Sequence, residues 1–390
     1  MRRYIFSGRI AAAAHDNRLA QAAAARRASG LPILNLAESN PSRCGLSPAG
    51  VLEALAAPEN LRYAPDPRGL LVARRALAAR LGCAEDRLFL AASTSEAYAW
   101  LFKLLCDPGQ AVLVPKPGYP LFDYLAGLEG LRALPYRLEY RHPGGWAIDI
   151  DALMKAADEQ GARAIVVINP NNPTGSYLGE AERRALVDFA ASRGIALISD
   201  EVFLPYALEG EGRSLGGEDA CLCFTLDGLS KLLCLPQLKL GWIRVSGPAE
   251  AAREAASRLE VIADTYLSAG APAMNALPAL LPRADAFVAS VRARLRANLA
   301  AMRAAFEGPE SPYRVLRCEG GWTALLECPR VGTDEELALG LLEAEGLALH
   351  PGYLYDFERE GYLALSLILP PDDFARGMDG LKRYLDGLLA

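Results

Sequence analysis

Short runs that are apolar over nearly their whole length alternate, from about residue 50 to about residue 250, with stretches whose apolar positions recur every three or four residues. The runs are "AVLVP", "ARAIVVINP", "IALISDEV", "CLCFTLDG" and "GWIRVSG". The helical stretches are "PAGVLEALAA", "GLLVARRALAARLG", "SEAYAWLFKLLCDPG" and "GEAERRALVDFAASRG". Strands apolar on both faces and separated by helices belong to a mostly parallel sheet covered on both sides, so an α/β fold is expected.

The pattern changes after about residue 284. A long helical stretch, "RADAFVASVRARLRANLAAMRAAFEG", leads to strand-like "YRVLRCEGGWTALLECP", a helix around "DEELALGLLEAEG", a strand near "YLALSLIL" and a last helix. We read residues 48–284 as a large domain, and residues 1–47 with 285–390 as a smaller α+β domain completed by the N-terminal segment. No internal repeat or low-complexity linker interrupts them.

Composition narrows the function classes. The chain has 390 residues, 52% of them hydrophobic, and a net charge of −6. It can bury a large core but carries no global basic field to hold nucleic acid or an anionic membrane. Three histidines make a His-rich metal site improbable, and no metal is expected. The eight cysteines form no CxxC framework, which fits a reducing, cytoplasmic compartment. Cys221 and Cys223 read as small core residues on one strand face. The first 30 residues read as an arginine-rich amphipathic helix, because His15, Asp16, Asn17 and Arg18 break the apolar run that a signal peptide needs. No apolar run is long enough to span a bilayer.

The candidate chemistry lies at the ends of the strands, where open α/β sheets bind ligands. "AIVVINPNNPTG" ends in asparagines and a Pro-Gly turn, "IALISDEV" in Asp200 and Glu201, and "CLCFTLDGLSK" in Ser230 and Lys231. A buried lysine at such a place needs a charge partner or a covalent bond to offset its desolvation. Each motif alone has a plainer reading as a turn, a cap or a solvated loop. Together, in this order and spacing, they would bring an amide, a carboxylate and an amine into one crevice.

From about residue 30 onward, "NPNNPTG", "SDEVF" and "LSKLLCLPQLKLGW" in this order resemble the class I/II aminotransferases, members of the fold-type I pyridoxal 5'-phosphate enzymes. The resemblance implies that Lys231 is the Schiff-base lysine, which also shuttles the substrate proton. Asp200 would hold the cofactor's ring nitrogen protonated, Asn172 would bond its ring oxygen and Tyr119 would stack on its face. Ser93, Thr94 and Ser95 at a helix start, with Ser230 and Lys239, would cradle the phosphate. Tyr63 would reach the active site of the neighbouring subunit, which implies a homodimer.

Three departures qualify the resemblance. Phe203 stands where the family has a tyrosine that bonds the ring oxygen, a gap that Tyr206 could fill. Lys239 replaces an arginine and cannot form its bidentate fork. Ala364 replaces the arginine that grips the substrate carboxylate. We expect Arg43 to substitute for that arginine, with Ser39 and Asn40 beside the substrate and Trp322 and Tyr353 as side-chain contacts.

The leading reading is an aminotransferase that moves an amino group from an amino acid to a 2-oxo acid by a ping-pong cycle. A lyase, decarboxylase or cyclising enzyme of the same fold is the alternative, because fold and cofactor do not fix the reaction. A regulatory cofactor-binding protein would need a DNA-binding module and a basic face. An NAD-dependent dehydrogenase would need a suitably placed G-x-G-x-x-G, which is missing.

Overall fold

The five apolar runs become neighbours in one eight-stranded sheet of the computed structural model, which describes residues 6–9 and 17–390. Along the sheet the strands follow the order Leu88–Ala91, Gly241–Ser246, Cys223–Gly228, Ala196–Asp200, Ala164–Ile168, Ala111–Lys116, Arg132–Arg141 and Gly145–Ile148. Gly241–Ser246 and Gly145–Ile148 run antiparallel to their neighbours, and the five strands between them are parallel. Ala164–Ile168 and Ala196–Asp200 are buried along their full length because helices cover both sheet faces. The strands Leu88–Ala91, Arg132–Arg141 and Gly145–Ile148 extend the sheet beyond the runs named from the sequence. In Arg132–Arg141, exposed and buried positions mix along the strand, so no continuous apolar run marks it.

Each buried strand leads into or follows a helix with recognisable ends. Ser93 caps the helix Thr94–Leu105 by accepting the Glu96 N–H at 3.1 Å, and Glu96 accepts the Ala92 N–H in return. The helix Glu180–Arg193 stops at Gly194 in the left-handed conformation. "PAGVLEALAA" yields only a short helix, Val51–Leu55, before Pro58 opens a single 3-10 turn.

A second sheet is antiparallel, in the order Arg314–Val315, Thr323–Glu327, Tyr362–Ser366, His350–Pro351. The helices Ala284–Phe306 and Pro371–Leu389 pack together, and Asn298 on the first is buried with its amide donating to Leu367 O and Leu369 O at 2.8 and 2.9 Å. The N-terminal segment joins this region. Leu34–Asn35 pairs in parallel with Leu347–Ala348, and the Ser366 N–H donates to Leu36 O. The helix Arg18–Ala28 packs on Asp334–Glu345; residues 6–9, also expected in the N-terminal helix, form an exposed turn instead, and residues 1–5 and 10–16 lie outside the described residues. One apolar cluster containing Leu36, Leu77, Leu232 and Leu326 joins the two sheets' surroundings. Among the described residues no helix is long and apolar enough to cross a membrane.

Candidate active site

A cavity of about 370 Å³ opens at the carboxyl ends of the parallel strands, where Ile168, Asp200 and Gly228 reach its wall. Chain order makes this place. The sheet grows one way from Ala164–Ile168 through Ala196–Asp200 and Cys223–Gly228, and the other way through Ala111–Lys116, which leaves a crevice between diverging loops.

Lys231 sits one turn beyond the strand Cys223–Gly228, in the short helix Leu229–Leu232. Its Nζ lies 4.8 Å from the Trp322 ring centroid and 5.4 Å from that of Phe203. Burial holds its amine below the ordinary lysine value, and nearby Cys234 and Asp200 oppose that shift only in part. Among the described residues it makes no ion pair within 4 Å, so aromatic faces are its main compensation.

Asp200 closes the strand Ala196–Asp200. Tyr98 donates to its Oδ2 at 3.1 Å, and the Val202 N–H donates to Oδ1 at 3.2 Å. Burial pushes its carboxyl up to about 6, against the pull of these two donors and of Lys231. A carboxylate kept from solvent with hydrogen-bond donors but no paired cation favours a cationic guest.

One end of the cavity is built around a helix start. Thr94 and Ser95 line the cavity at the start of the helix Thr94–Leu105, and Ser230, Gly228 and Gly241 line it from the neighbouring segments. A Cβ on Gly241 would stand 3.1 Å from Ser93 C and 3.2 Å from Thr94 N, so only glycine lets that strand approach the helix start. Free N–H groups at a helix start form an anion site.

These features fit the group that the sequence motifs point to. A buried amine can bond an aldehyde, a carboxylate can hold a ring nitrogen, and a helix start can hold a phosphate. The described residues offer no cluster suited to a metal ion.

The structure brings Ser39, Thr94, Ser95, Tyr119, Asn172, Asp200, Ser230, Lys231 and Trp322 to this one cavity. Other expected residues lie elsewhere. Ser93 spends its hydroxyl on the helix cap. Lys239 is exposed, in the left-handed conformation after the 3-10 turn Pro236–Leu238, and does not line the cavity. Asn40 accepts from Ser42 within its own turn. Arg43, expected at the substrate carboxylate, has a side chain 73% exposed and paired with Glu38 at 3.3 Å outside the cavity. Tyr63 is 86% exposed on the surface. Tyr353 points its hydroxyl into a buried place without a hydrogen-bond partner among the described residues, and Tyr355, two positions later, takes the cavity wall instead.

Tyr206 does not fill the gap left by Phe203. Its hydroxyl donates to Lys231 O at 2.7 Å and the side chain is fully buried in the core. Phe203 lines the cavity and meets Trp322 edge to face at 5.4 Å.

Sequence reading missed Tyr98, Gly228, Gly241, His350 and Tyr355. The helical period offered one signal: Tyr98 follows Thr94 by four positions and so shares its helix face. The glycines flank "LSK" and precede "W" in the motif itself.

Comparison with known proteins agrees with this geometry. The family model for aminotransferase class I and II matches residues 32–374. An alanine aminotransferase of Mycobacterium tuberculosis is 27% identical over 384 residues, covering 94% of this chain and 88% of that protein. The S-alkyl-thiohydroximate lyase SUR1 of Arabidopsis thaliana is 30% identical over 275 residues, covering 65% of this chain and 57% of that protein. Among solved structures, an alanine aminotransferase from Pyrococcus furiosus superposes with a TM-score of 0.87 at 24% identity, covering 95% of this chain and 96% of that one. With the family model spanning most of its length and the motif residues gathered in one cavity, the chain belongs to the class I and II aminotransferases.

Proposed function

We propose that the protein is a pyridoxal 5'-phosphate-dependent aminotransferase that passes an amino group from an amino acid to a 2-oxo acid in a ping-pong cycle. The observation that carries this reading is the pairing, in one cavity, of a buried lysine and a buried carboxylate, neither matched by an ion-pair partner among the described residues.

When bound, the cofactor supplies an electron sink for the bonds of the substrate's α-carbon. Asp200 would keep the ring nitrogen charged. Lys231 would hold the aldehyde end of the cofactor and would move a proton to and from the substrate's α-carbon, a task suited to an amine whose basicity burial has lowered. Thr94, Ser95 and Ser230 would hold the phosphate, Asn172 would meet the ring oxygen and Tyr119 would cover the ring face. Ser39 and Trp322 lie on the substrate side. Residues 48–284 form the cofactor-binding domain in this reading, and residues 1–47 with 285–390 the smaller one.

A homodimer follows from the same reading. Exposed Leu61 and Tyr63 lie on a segment tied to residues 267–275 by Asn275 to Asn60 at 2.8 Å and by Ser268 to Asp66 O at 2.8 Å, and Leu267 there is also exposed. A second copy would cover them and receive Tyr63 near its phosphate. Eight free cysteines fit a reducing compartment, which we take to be the cytoplasm.

The test is the visible spectrum of the purified protein loaded with cofactor. An amino acid should bleach the band and a 2-oxo acid should restore it. Release of ammonia or carbon dioxide with no bleaching would replace this reading with the lyase one.

A further inference from the structure

The substrate-facing wall of the cavity is one face of the small antiparallel sheet. Thr323 pairs with Ser366, and His350 pairs with Ala364. Residues directly opposed across antiparallel strands project to the same face, and all four line the cavity. Ala364, where family resemblance leads one to expect an arginine, contributes a buried methyl group.

The remaining wall offers little to an anion. Among the described residues that line it, Asp200 and Lys231 are the ordinary charged groups, and no arginine is present. Lys231 is committed to the reaction. Ser366 already donates its hydroxyl proton to Glu38 O at 2.6 Å. A substrate carboxylate left unpaired here would lose its hydration without compensation.

His350 is placed to supply what is missing. Its Nδ1 lies 3.0 Å from the Tyr355 hydroxyl, which fixes the ring plane. Its Nε2 has no hydrogen-bond partner among the described residues, and both side chains line the cavity. We propose that His350, oriented by Tyr355, receives the carboxylate of the substrate amino acid, from the strand beside Ala364. This inference rests on the aminotransferase reading for the identity of the substrate.

The charge logic gives the recognition a pH dependence. In the free protein, burial lowers the imidazolium's stability and favours the neutral ring. A bound carboxylate favours the cation, so binding takes up a proton and weakens as pH rises through the imidazole's titration in the complex. The other titratable groups facing this cavity are Tyr98, Tyr119, Tyr355, Asp200 and Lys231. Asp200, pushed up to about 6, titrates close to the same range, so His350 has to be observed directly.

A selectivity follows as well. The wall formed by Leu121, Phe122 and Leu125 carries no charge, and a single imidazole serves a single carboxylate. The substrate class is therefore a monocarboxylic amino acid with an apolar side chain, with dicarboxylic amino acids disfavoured.

The sequence contains only three histidines, His15, His142 and His350, so the full-length chain labelled with 13C at histidine Cε1 gives three signals, and His350→Gln assigns one of them. The probe is propionate, which has a carboxylate but no amino group to transfer. Saturating propionate should raise the His350 pKa by about one unit or more. His350→Gln should weaken propionate binding by about ten-fold or more and raise the amino acid KM similarly, with kcat changed far less. Ala364→Arg should make propionate binding independent of pH and should rescue it in the His350→Gln background, which keeps the test open if the single variant folds poorly. Tyr355→Phe should keep the His350 signal but shrink its response. A His350 signal unmoved at saturation, or a His350→Gln protein that binds propionate like the parent, overturns the proposal. The titration needs no turnover, so a propionate response in a protein that transaminates no amino acid would remove the aminotransferase reading and leave the carboxylate site standing.

Discussion

Tyr98, on the helix Thr94–Leu105 whose start lines the cavity, donates to Asp200 across 3.1 Å and so couples that helix to the buried carboxylate. The bond favours the charged carboxylate that a ring nitrogen needs. Tyr98→Phe removes the donor and should push the Asp200 carboxyl above its present value of about 6. We expect cofactor affinity to fall by about ten-fold, the scale of a hydrogen bond to a charged group. Affinity should also begin its acid loss at a higher pH than in the parent. Absorbance titration of the cofactor between pH 5 and pH 8 (roughly the window set by a carboxyl near 6) checks both, and coincident curves would exclude the coupling.

The same carboxylate destabilises the protein when no cofactor is bound. Its folded pKa is raised from 3.8 to about 6, so the folded state holds this proton more tightly than the unfolded one. The stability associated with that proton is complete below the unfolded value and is lost as pH rises through about 6. At neutral pH the loss has an upper size of about 3 kcal/mol. Asp200→Asn should therefore melt at a higher temperature than the parent in cofactor-free buffer at neutral pH, while the gain in melting temperature from added cofactor should shrink. A lower melting temperature in the variant would contradict this account.

Gly241→Ala tests the backbone cradle. The new methyl would meet Ser93 C and Thr94 N at 3.1 and 3.2 Å, both of them backbone atoms that cannot swing aside. We expect a loss of about 1–3 kcal/mol in denaturant unfolding and weaker cofactor binding. Gly270→Ala, where nothing lies within 4 Å of the new methyl, serves as the control and should stay near the parent.

Arg43→Ala should leave the amino acid KM within about two-fold of the parent and the stability within about 1 kcal/mol. The side chain is exposed and held by a surface ion pair, the kind that contributes little. A large rise in KM would restore Arg43 to the substrate site.

How much of this was legible in the sequence depends on how local each signal is. The strands ending at Ile168, Asp200 and Gly228 could be read because burial on both faces forces continuous apolar runs. Lys231 and Asn172 could be placed at the cavity because each lies within a few residues of a strand end. Strand Arg132–Arg141 could not, since its mixed burial breaks the run. His350 was equally hidden: its place opposite Ala364 is a matter of antiparallel register, which no spacing along the chain encodes. Arg43 misled because the loop "NPSRC" follows Ser39, which lines the cavity, while its own turn sends the Arg43 side chain to solvent.

The meeting of Ser366 with Glu38, 328 residues apart in sequence, has a consequence for how the protein is made. The segment around Glu38 can close against Ser366 only after the residues between them have been synthesised. The parallel sheet, whose strands follow one another between residues 88 and 246, has its partners in hand earlier. Synthesis from the N-terminus thus favours a chain whose parallel sheet takes shape first, while residues near Leu36 wait for Ala348 and Ser366 to arrive and leave apolar surface open to chaperones in the meantime.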